Sequence, residues 1–187
     1  MVEVSKLGLD GVCEIRVPRF EDARGFFSET WNAEKLAQAG IAVDFVQDNH
    51  SLSRERGVLR GLHFQKPPFA QDKLVRVLRG SIYDVAVDIR NGSPTFGKWV
   101  GLTVSARDWN QILVPKGFAH GFVTLEPDTE VVYKVSAPYS QPHDRSIRFD
   151  DPAIAIDWPV ATQQLILSDK DAEAPLLAEV ETGFVYP

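Results

Sequence analysis

The sequence predicts an all-β protein, a double-sheet jelly roll with short peripheral helices. Short runs rich in Val, Ile, Phe and Tyr recur between turn signals, a pattern typical of sandwiches and barrels. Within these runs apolar and polar residues alternate with period two, as in strands with one buried face. The chain has 187 residues, of which 44% are hydrophobic and 25% charged. This size and composition suit one domain spanning residues 1–187.

The predicted strands are runs of β-branched and aromatic residues that end at Gly, Pro, Asn or Asp. In chain order they span residues 11–18, 26–31, 43–51, 57–65, 72–79, 81–88, 99–105, 111–114, 118–124, 129–135 and 146–149. The clearest alternation follows the turn at 79–81. It places Asp84 and Asp88 on one face and, on the other, Tyr83, Val85, Val87 and Ile89.

Two short helices are predicted outside the strands. The first spans residues 32–39, with Asn32 as N-cap and Gly40 as the stop, and the second spans residues 171–177. The C-terminal tail is expected to pack over one mouth of the barrel. So many antiparallel strands with Gly-rich turns fit the cupin type of jelly roll, which encloses a ligand cavity between its sheets.

Composition excludes several classes of function. A net charge of −6 argues against general nucleic-acid binding. Cys13 is the only cysteine, so no disulfide can form within the chain, which favours a reducing compartment. No apolar run reaches membrane-spanning length and no apolar signal core follows the first residues. We therefore expect a cytoplasmic protein with neither membrane nor nucleic-acid partners.

Four polar residues interrupt strand faces that are otherwise apolar: His63, Lys73, His120 and Tyr133. A histidine in such a place can equally be a core residue held by a hydrogen bond, but a buried lysine is rare without a partner. The segment His63-Phe64-Gln65 lacks the His-x-His pair and following carboxylate of metal-binding cupins, so no metal is predicted.

A metal-free set of this kind suits proton transfer beside a ketone. Histidine is a competent general base at neutral pH and needs an orienting carboxylate, for which Asp171 is a candidate. Tyr133 would return a proton on the opposite face, while Lys73 would stabilise an enolate oxygen. This chemistry is epimerisation, and it needs no cofactor.

Arginines supply candidate anion contacts, because a guanidinium donates two parallel hydrogen bonds to phosphate. Arg24, Arg60 and Arg76 are candidates, although each can equally form a surface salt bridge. Strict alternation places Arg60 opposite His63. Arg60 reaches the cavity only if Gly61 marks a β-bulge or the strand twists there.

Eight motifs in order along the chain resemble the dTDP-4-dehydrorhamnose 3,5-epimerase (RmlC) family. They are RGFFSE at 24–29, FVQDNHS at 45–51, VLRGLHFQ at 58–65, KLVR at 73–76, DVAVDIR at 84–90, SPTFG at 93–97, PKGFAHGF at 115–122 and KD at 170–171. The resemblance implies a homodimer of jelly-roll subunits that binds a dTDP-sugar. It implies His63 as base, oriented by Asp171, with Tyr133 as acid and Lys73 on the C4 oxygen.

The resemblance also implies further substrate-binding residues. Tyr139 matches the position that stacks on thymine, and Asp144 stands where the family usually has glutamate, in segment 141–145 that departs most from the pattern. The other matching positions are Arg24, Glu29, Gln47, Asn49, Arg60, His120 and Lys170.

The expected reaction inverts C3 and C5 of dTDP-4-dehydro-6-deoxy-D-glucose to give dTDP-4-dehydro-L-rhamnose. Four alternatives remain open: an epimerase that inverts only one of the two carbons, a 3,4-ketoisomerase on a similar barrel, a sugar-nucleotide-binding barrel without activity, and a structural cupin of the seed-storage type, against which the interior lysine argues. The Tyr133 and Lys73 pairing argues against the ketoisomerase.

Overall fold

The computed structural model describes residues 1–187. Its strands are β1 (Glu3–Lys6), β2 (Cys13–Arg16), β3 (Phe20–Asp22), β4 (Gly25–Phe27), β5 (Gln47–Ser53), β6 (Leu59–Gln65), β7 (Lys73–Arg79), β8 (Ser81–Asp88), β9 (Trp99–Ser105), β10 (Asn110–Val114), β11 (Phe118–Thr124), β12 (Thr129–Val135) and β13 (Asp144–Ser146). The α-helices are α1 (Ala33–Gln38) and α2 (Asp169–Ala172), and single 3₁₀ turns span Gln141–His143, Thr162–Gln164 and Leu177–Glu179. No helix is both long and apolar enough to cross a membrane.

Two antiparallel sheets face each other, as the predicted jelly roll requires. One has the order β1-β2-β10-β7-β12-β5, the other the order β13-β6-β11-β8-β9, and β3-β4 forms a separate hairpin. The core lies between the two sheets. The first sheet contributes Val75, Val77 and Val131, and the second contributes Ile82, Ala86, Phe118 and Phe122. The apolar faces that alternation predicts for these strands therefore meet inside the barrel.

The tail borders the cavity only in part, which limits the expectation from sequence that it packs over a barrel mouth. Ile154 and Leu177 instead pack on the outer face of the second sheet, against Val85 and Val87 of β8 and Ala119 of β11. These two strands are buried on both faces, so the outer face also needs an apolar cover. Other tail residues line the cavity, namely Ile166, Leu167, Ser168 and, in α2, Asp171.

Element boundaries shift where propensity and pairing disagree. Strands β1 and β3 were not predicted, because they are short and largely exposed, and they follow from pairing with β2 and β4. Helix α1 begins as expected, since the Asn32 side chain accepts a hydrogen bond from the Lys35 N–H at 3.1 Å. The predicted bounds are wrong by several residues for β4, β5, β13 and α2.

Asp88 fixes the turn that leaves β8. Its buried carboxylate accepts hydrogen bonds from the Arg90 guanidinium at 2.9 and 2.7 Å and from the hydroxyls of Ser93 and Thr95 at 2.6 and 2.7 Å. Burial alone would raise the pKa of Asp88, but these donors outweigh it and lower the pKa to about 2. The carboxylate therefore stays charged and paired at neutral pH.

Candidate active site

A cavity of about 390 Å³ opens between the two sheets. Its polar lining combines residues from β5, β6, β7, β11, β12 and the segment around α2: Ser51, Arg60, His63, Lys73, His120, Tyr133, Ser168 and Asp171. The four polar residues singled out on apolar strand faces thus meet in one place.

Strand register explains the convergence. Directly opposite residues of an antiparallel pair point to the same face of the sheet. Tyr133 of β12 is opposite both Asn49 of β5 and Val75 of β7, and Lys73 is opposite Val135. In the other sheet His63 is opposite His120. Each sheet therefore presents its own pair of titratable side chains to the space between them.

A β-bulge at Gly61 brings Arg60 onto the cavity face with His63. His120 pairs with His63 and Phe122 with Arg60, so three steps along β6 match two along β11. Gly61 has a φ of +128°, and a Cβ there would lie 2.6 Å from the Gly121 Cα. The β-bulge that the sequence analysis required for Arg60 to reach the cavity is therefore confirmed.

The same bulge corrects one face assignment. Alternation from His63 places the Leu59 side chain on the cavity face. Leu59 does border the cavity, but its side chain packs in an outer cluster with Val123 and Phe149. Relative to strict alternation from His63, the extra residue at the bulge reverses the sheet face of the β6 side chains that precede it.

His63 and Asp171 form a close pair. His63 Nε2 lies 2.5 Å from Asp171 Oδ1, and Asp171 Oδ2 accepts a hydrogen bond from the Ser168 hydroxyl at 2.9 Å. Burial alone would raise the pKa of Asp171, but the hydrogen bond and charge of His63, with the bonds from Ser168 and the Gly61 N–H, lower it. An ionised Asp171 can accept the Nε2–H, and Nδ1 is then the ring nitrogen available as the base.

Lys73 is the perturbed cation of the cavity. Its Nζ donates to the His63 carbonyl oxygen at 3.5 Å. Burial lowers the pKa of Lys73 to about 8; the charges of Asp84 and Asp144 oppose this shift and that of Lys170 adds to it. At pH 7 the ammonium form still predominates, so it can stabilise a developing negative charge.

Tyr133 is a protonated phenol at neutral pH. Burial raises the pKa of Tyr133, the charge of Arg60 partly lowers it, and the charge of Asp144 raises it further. A weakly acidic phenol of this kind can deliver a proton to a strongly basic enolate.

Asp84 is a buried carboxylate beside His120 that the sequence analysis placed opposite the apolar face of its strand and did not include in the site. It is fully buried, and its two oxygens lie 3.0 and 2.9 Å from His120 Nε2. The available signal was its position between Ile82 and Ala86 on the inward face of β8. Asp84 orients the His120 ring much as Asp171 orients that of His63.

Five predicted substrate contacts form a polar rim, defined here as Gln47, Asn49, Tyr139, Asp144 and Lys170. Gln47 donates to the Asn49 side chain at 2.8 Å and accepts from the Tyr139 N–H at 3.0 Å. Lys170 Nζ lies 2.5 Å from an Asp144 oxygen, and the Tyr139 hydroxyl is 3.4 Å from the same atom. Asn49 pairs with Tyr133, and Lys170 precedes Asp171, so the polar rim adjoins the cavity.

Three other candidates lie elsewhere in the chain. Arg24 is at the tip of the β3–β4 hairpin, where it is exposed and pairs with Asp22. Glu29 pairs with Lys35. Arg76 points away from the cavity, because it alternates with Val75 and Val77 on β7, and it lies over the Trp109 ring at 5.8 Å. None of the three lines the cavity of this chain.

The His, Cys, Asp and Glu side chains form no group of three arranged to hold a metal ion. The two imidazoles of the cavity are instead each bonded to one carboxylate.

Sequence and structure comparisons identify the relatives of the chain. The profile of the dTDP-4-dehydrorhamnose 3,5-epimerase family matches residues 6–179. A curated protein of that description from Sinorhizobium fredii is 54% identical over 92% of this chain and 88% of its own length. Its counterpart from Salmonella typhimurium is 49% identical over 95% of this chain and 96% of its own.

Comparison with solved structures identifies the same family. The RmlC epimerase of Legionella pneumophila, crystallised in complex with dTDP-4-keto-L-rhamnose, superposes with a TM-score of 0.95 at 43% identity and covers 100% of both chains. ChmJ, a 3'-monoepimerase from Streptomyces bikiniensis crystallised with dTDP-quinovose, has a TM-score of 0.85 at 34% identity and covers 92% of this chain and 86% of its own. The chain belongs to the dTDP-4-dehydrorhamnose 3,5-epimerase family, and its barrel is the cupin-type jelly roll of that family.

Proposed function

We propose that this chain inverts C3 and C5 of dTDP-4-dehydro-6-deoxy-D-glucose to give dTDP-4-dehydro-L-rhamnose. The observation that supports this most strongly is the single cavity lined by His63, Asp171, Tyr133 and Lys73. A ketone at C4 acidifies the protons on both neighbouring carbons, so one set of groups can act on C3 and C5 in turn. The family membership and the relative solved with dTDP-4-keto-L-rhamnose support the same substrate class.

Each inversion begins with proton removal by His63. Its Nδ1 takes the proton from carbon, and the electron pair of the C–H bond moves into a C–C double bond as the C4 oxygen becomes negative. The Lys73 ammonium stabilises that oxygen, and ionised Asp171 stabilises the imidazolium through Nε2–H.

The inversion ends with proton delivery by Tyr133 on the opposite face of the ring. The enolate collapses to the ketone as the phenol proton bonds to carbon, and the phenolate is then reprotonated from water. His63 releases its proton to water in the same cycle. Only protons are exchanged, so the reaction consumes no oxidant or reductant.

The polar rim and Arg60 are proposed to hold the nucleotide. The Tyr139 side chain is exposed and can stack on thymine, and the Arg60 guanidinium suits a phosphate. His120, fixed by Asp84, and Lys170, paired with Asp144, add donors near the sugar.

A homodimer would bring the remaining predicted contacts into use. The hairpin that carries Arg24 also exposes the large apolar side chains of Phe20, Phe26 and Phe27, which favours burial against a second copy. We propose that Arg24 and Glu29 contact substrate in the cavity of that copy. Mixing Arg24→Ala protein with His63→Ala protein should then restore activity that neither has alone. A mixture that exchanges subunits but stays inactive would contradict this arrangement.

A cytoplasmic location completes the proposal. It is supported by the free, buried Cys13 and by the likeness to biosynthetic epimerases. Cell fractionation followed by immunodetection tests it, and recovery in an extracellular or membrane fraction would refute it.

Product identification from the dTDP-4-keto sugar in heavy water tests the reaction. Proton NMR should show deuterium at both C3 and C5 and the L-rhamno configuration. His63→Ala should lower turnover by about 10²–10⁴-fold. His50→Ala is the matched control, because His50 lies outside the cavity and pairs with Glu130.

The other outcomes identify the alternatives. Inversion at one carbon only would indicate a monoepimerase, the activity stated for ChmJ. Movement of the carbonyl would indicate a ketoisomerase. Binding of substrate without any proton exchange would indicate a non-catalytic barrel, and normal turnover by His63→Ala would remove that residue from the mechanism.

A further inference from the structure

Ser51 is a buried hydroxyl in the cavity that no protein group satisfies. It lies on β5 and lines the cavity. Its Oγ is shielded from solvent and has no hydrogen-bond partner, a condition shared by only one other buried side-chain atom, Ser146 Oγ. Buried hydroxyls are normally bonded, so an orphan in a ligand cavity indicates a missing partner.

The register places Ser51 between two other polar rows. Asn49 pairs with Tyr133, Ser51 with Val131, and Ser53 with Thr129. Two residues along a strand span about 6.8 Å. A ligand group beside Ser51 therefore lies one such step from the level of the proposed acid and one step from the level of Ser53.

Arg60 marks the Ser53 level as an anion site. Its Nε and Nη2 approach Ser53 Oγ only at 3.4 Å, and Nη2 approaches the Leu52 carbonyl at 3.3 Å. No carboxylate lies in salt-bridge contact with the Arg60 guanidinium, in contrast to Arg90, which Asp88 holds at 2.7 Å. Long, neutral contacts leave the Arg60 charge available to a ligand.

We propose that Ser51 donates a hydrogen bond to the sugar-proximal phosphoryl group of the bound nucleotide diphosphate, beside Arg60. The inference rests on the proposed function, because that phosphoryl links the reacting sugar to the rest of the nucleotide. A sugar ring at the Tyr133 level and an anion at the Arg60 level leave this group at the level between them, with the nucleotide folding back along β5 towards Tyr139. Ser51 is thus a substrate-positioning residue: it ends the FVQDNHS motif at 45–51, but the family resemblance gave it no role.

Calorimetric titration with dTDP and with dTMP tests the assignment. Ser51→Ala should bind dTDP about tenfold more weakly than the unaltered protein, the loss of one hydrogen bond to a charged group. Its affinity for dTMP should not change, because dTMP lacks the second phosphoryl. The unfolding midpoint of free Ser51→Ala should be no lower, since the hydroxyl has no bond to lose. Ser105→Ala changes a serine at the end of β9, outside the cavity lining, and it should leave both affinities unchanged.

Two results would overturn the assignment. Equal dTDP affinity in Ser51→Ala and the unaltered protein would exclude the hydrogen bond, and an equal loss for dTMP and dTDP would indicate general disruption. If the unaltered protein still epimerises the keto sugar, only the role of Ser51 fails. If it neither binds dTDP nor turns over, the proposed function fails with it.

Discussion

The protonation of Lys73 should set the upper pH limit of catalysis. The proposed mechanism needs the ammonium form at the C4 oxygen, and burial lowers the pKa of Lys73 to about 8. The ammonium fraction then falls from about nine-tenths at pH 7 to about one-tenth at pH 9. We predict that kcat/KM, which reports ionisations of the free enzyme, falls about tenfold over that range.

Substitutions separate this effect from general loss of structure. Lys73→Arg keeps a permanent charge and should shift the decline to higher pH. Lys73→Met should lower kcat/KM by about 10²–10³-fold and abolish the decline near pH 8. Lys134→Met is the control, because Lys134 lies on the same sheet but outside the cavity and pairs with Asp48.

The free energy of unfolding should rise with pH over the range in which kcat/KM falls. A lysine whose pKa is lower in the folded state destabilises the fold while it is protonated, and that cost fades as pH rises from about 8 towards the unfolded value. Lys73→Met should therefore raise the free energy of unfolding by up to about 3 kcal/mol at pH 7, with less gain near pH 10. Urea denaturation measures it. A pH-independent kcat/KM between 7 and 9, or a Lys73→Met protein that keeps the decline, would refute the assignment.

Three further substitutions test the supports of the site and the fold. Asp171→Asn should lower kcat by about 10²–10⁴-fold in steady-state assays, because an amide does not stabilise the His63 imidazolium; unchanged kcat would exclude the pair from catalysis. Gly61→Ala should lower the free energy of unfolding in urea by about 1–3 kcal/mol, because the position has positive φ and no room for a Cβ; a stability equal to that of the unaltered protein would contradict the bulge. Asp88→Ala should cost about 3–5 kcal/mol by the same measurement, because it leaves the Arg90 charge unpaired; a loss below about 1 kcal/mol would mean that the turn does not depend on this carboxylate.

Alternation within single strands was readable from the sequence. The inward positions of Lys73 and Tyr133 follow from period two, because each of their strands has one apolar face to bury. Period two also places His120 with Phe118 and Phe122, although both faces of β11 are buried. The bulge was not decidable, since its position depends on how β6 and β11 pair, and only Gly61 hinted at it. Because the bulge was not predicted, the sheet face of the Leu59 side chain was also not predicted correctly.

Contacts between residues far apart in the chain also could not be predicted from the sequence. Asp171 was preferred over Asp169 only through the family motif; in the structure Asp171 is buried against His63 while Asp169 is exposed. Asp84 was only separated from the apolar face of Tyr83 and Val85, and nothing local revealed that it points inward beside His120. The path of the tail could not be predicted either, because it depends on which outer sheet face is apolar once the two sheets have assembled.

Deuterium exchange by Tyr133→Phe tests the central claim most directly, namely that base and acid act on opposite faces of the ring. With the acid removed, His63 can still take a proton and return one to the same face. In heavy water the variant should therefore place deuterium in recovered substrate while forming little inverted product, and His63→Ala should do neither. Deuterium uptake by His63→Ala, or full inversion by Tyr133→Phe, would contradict the account.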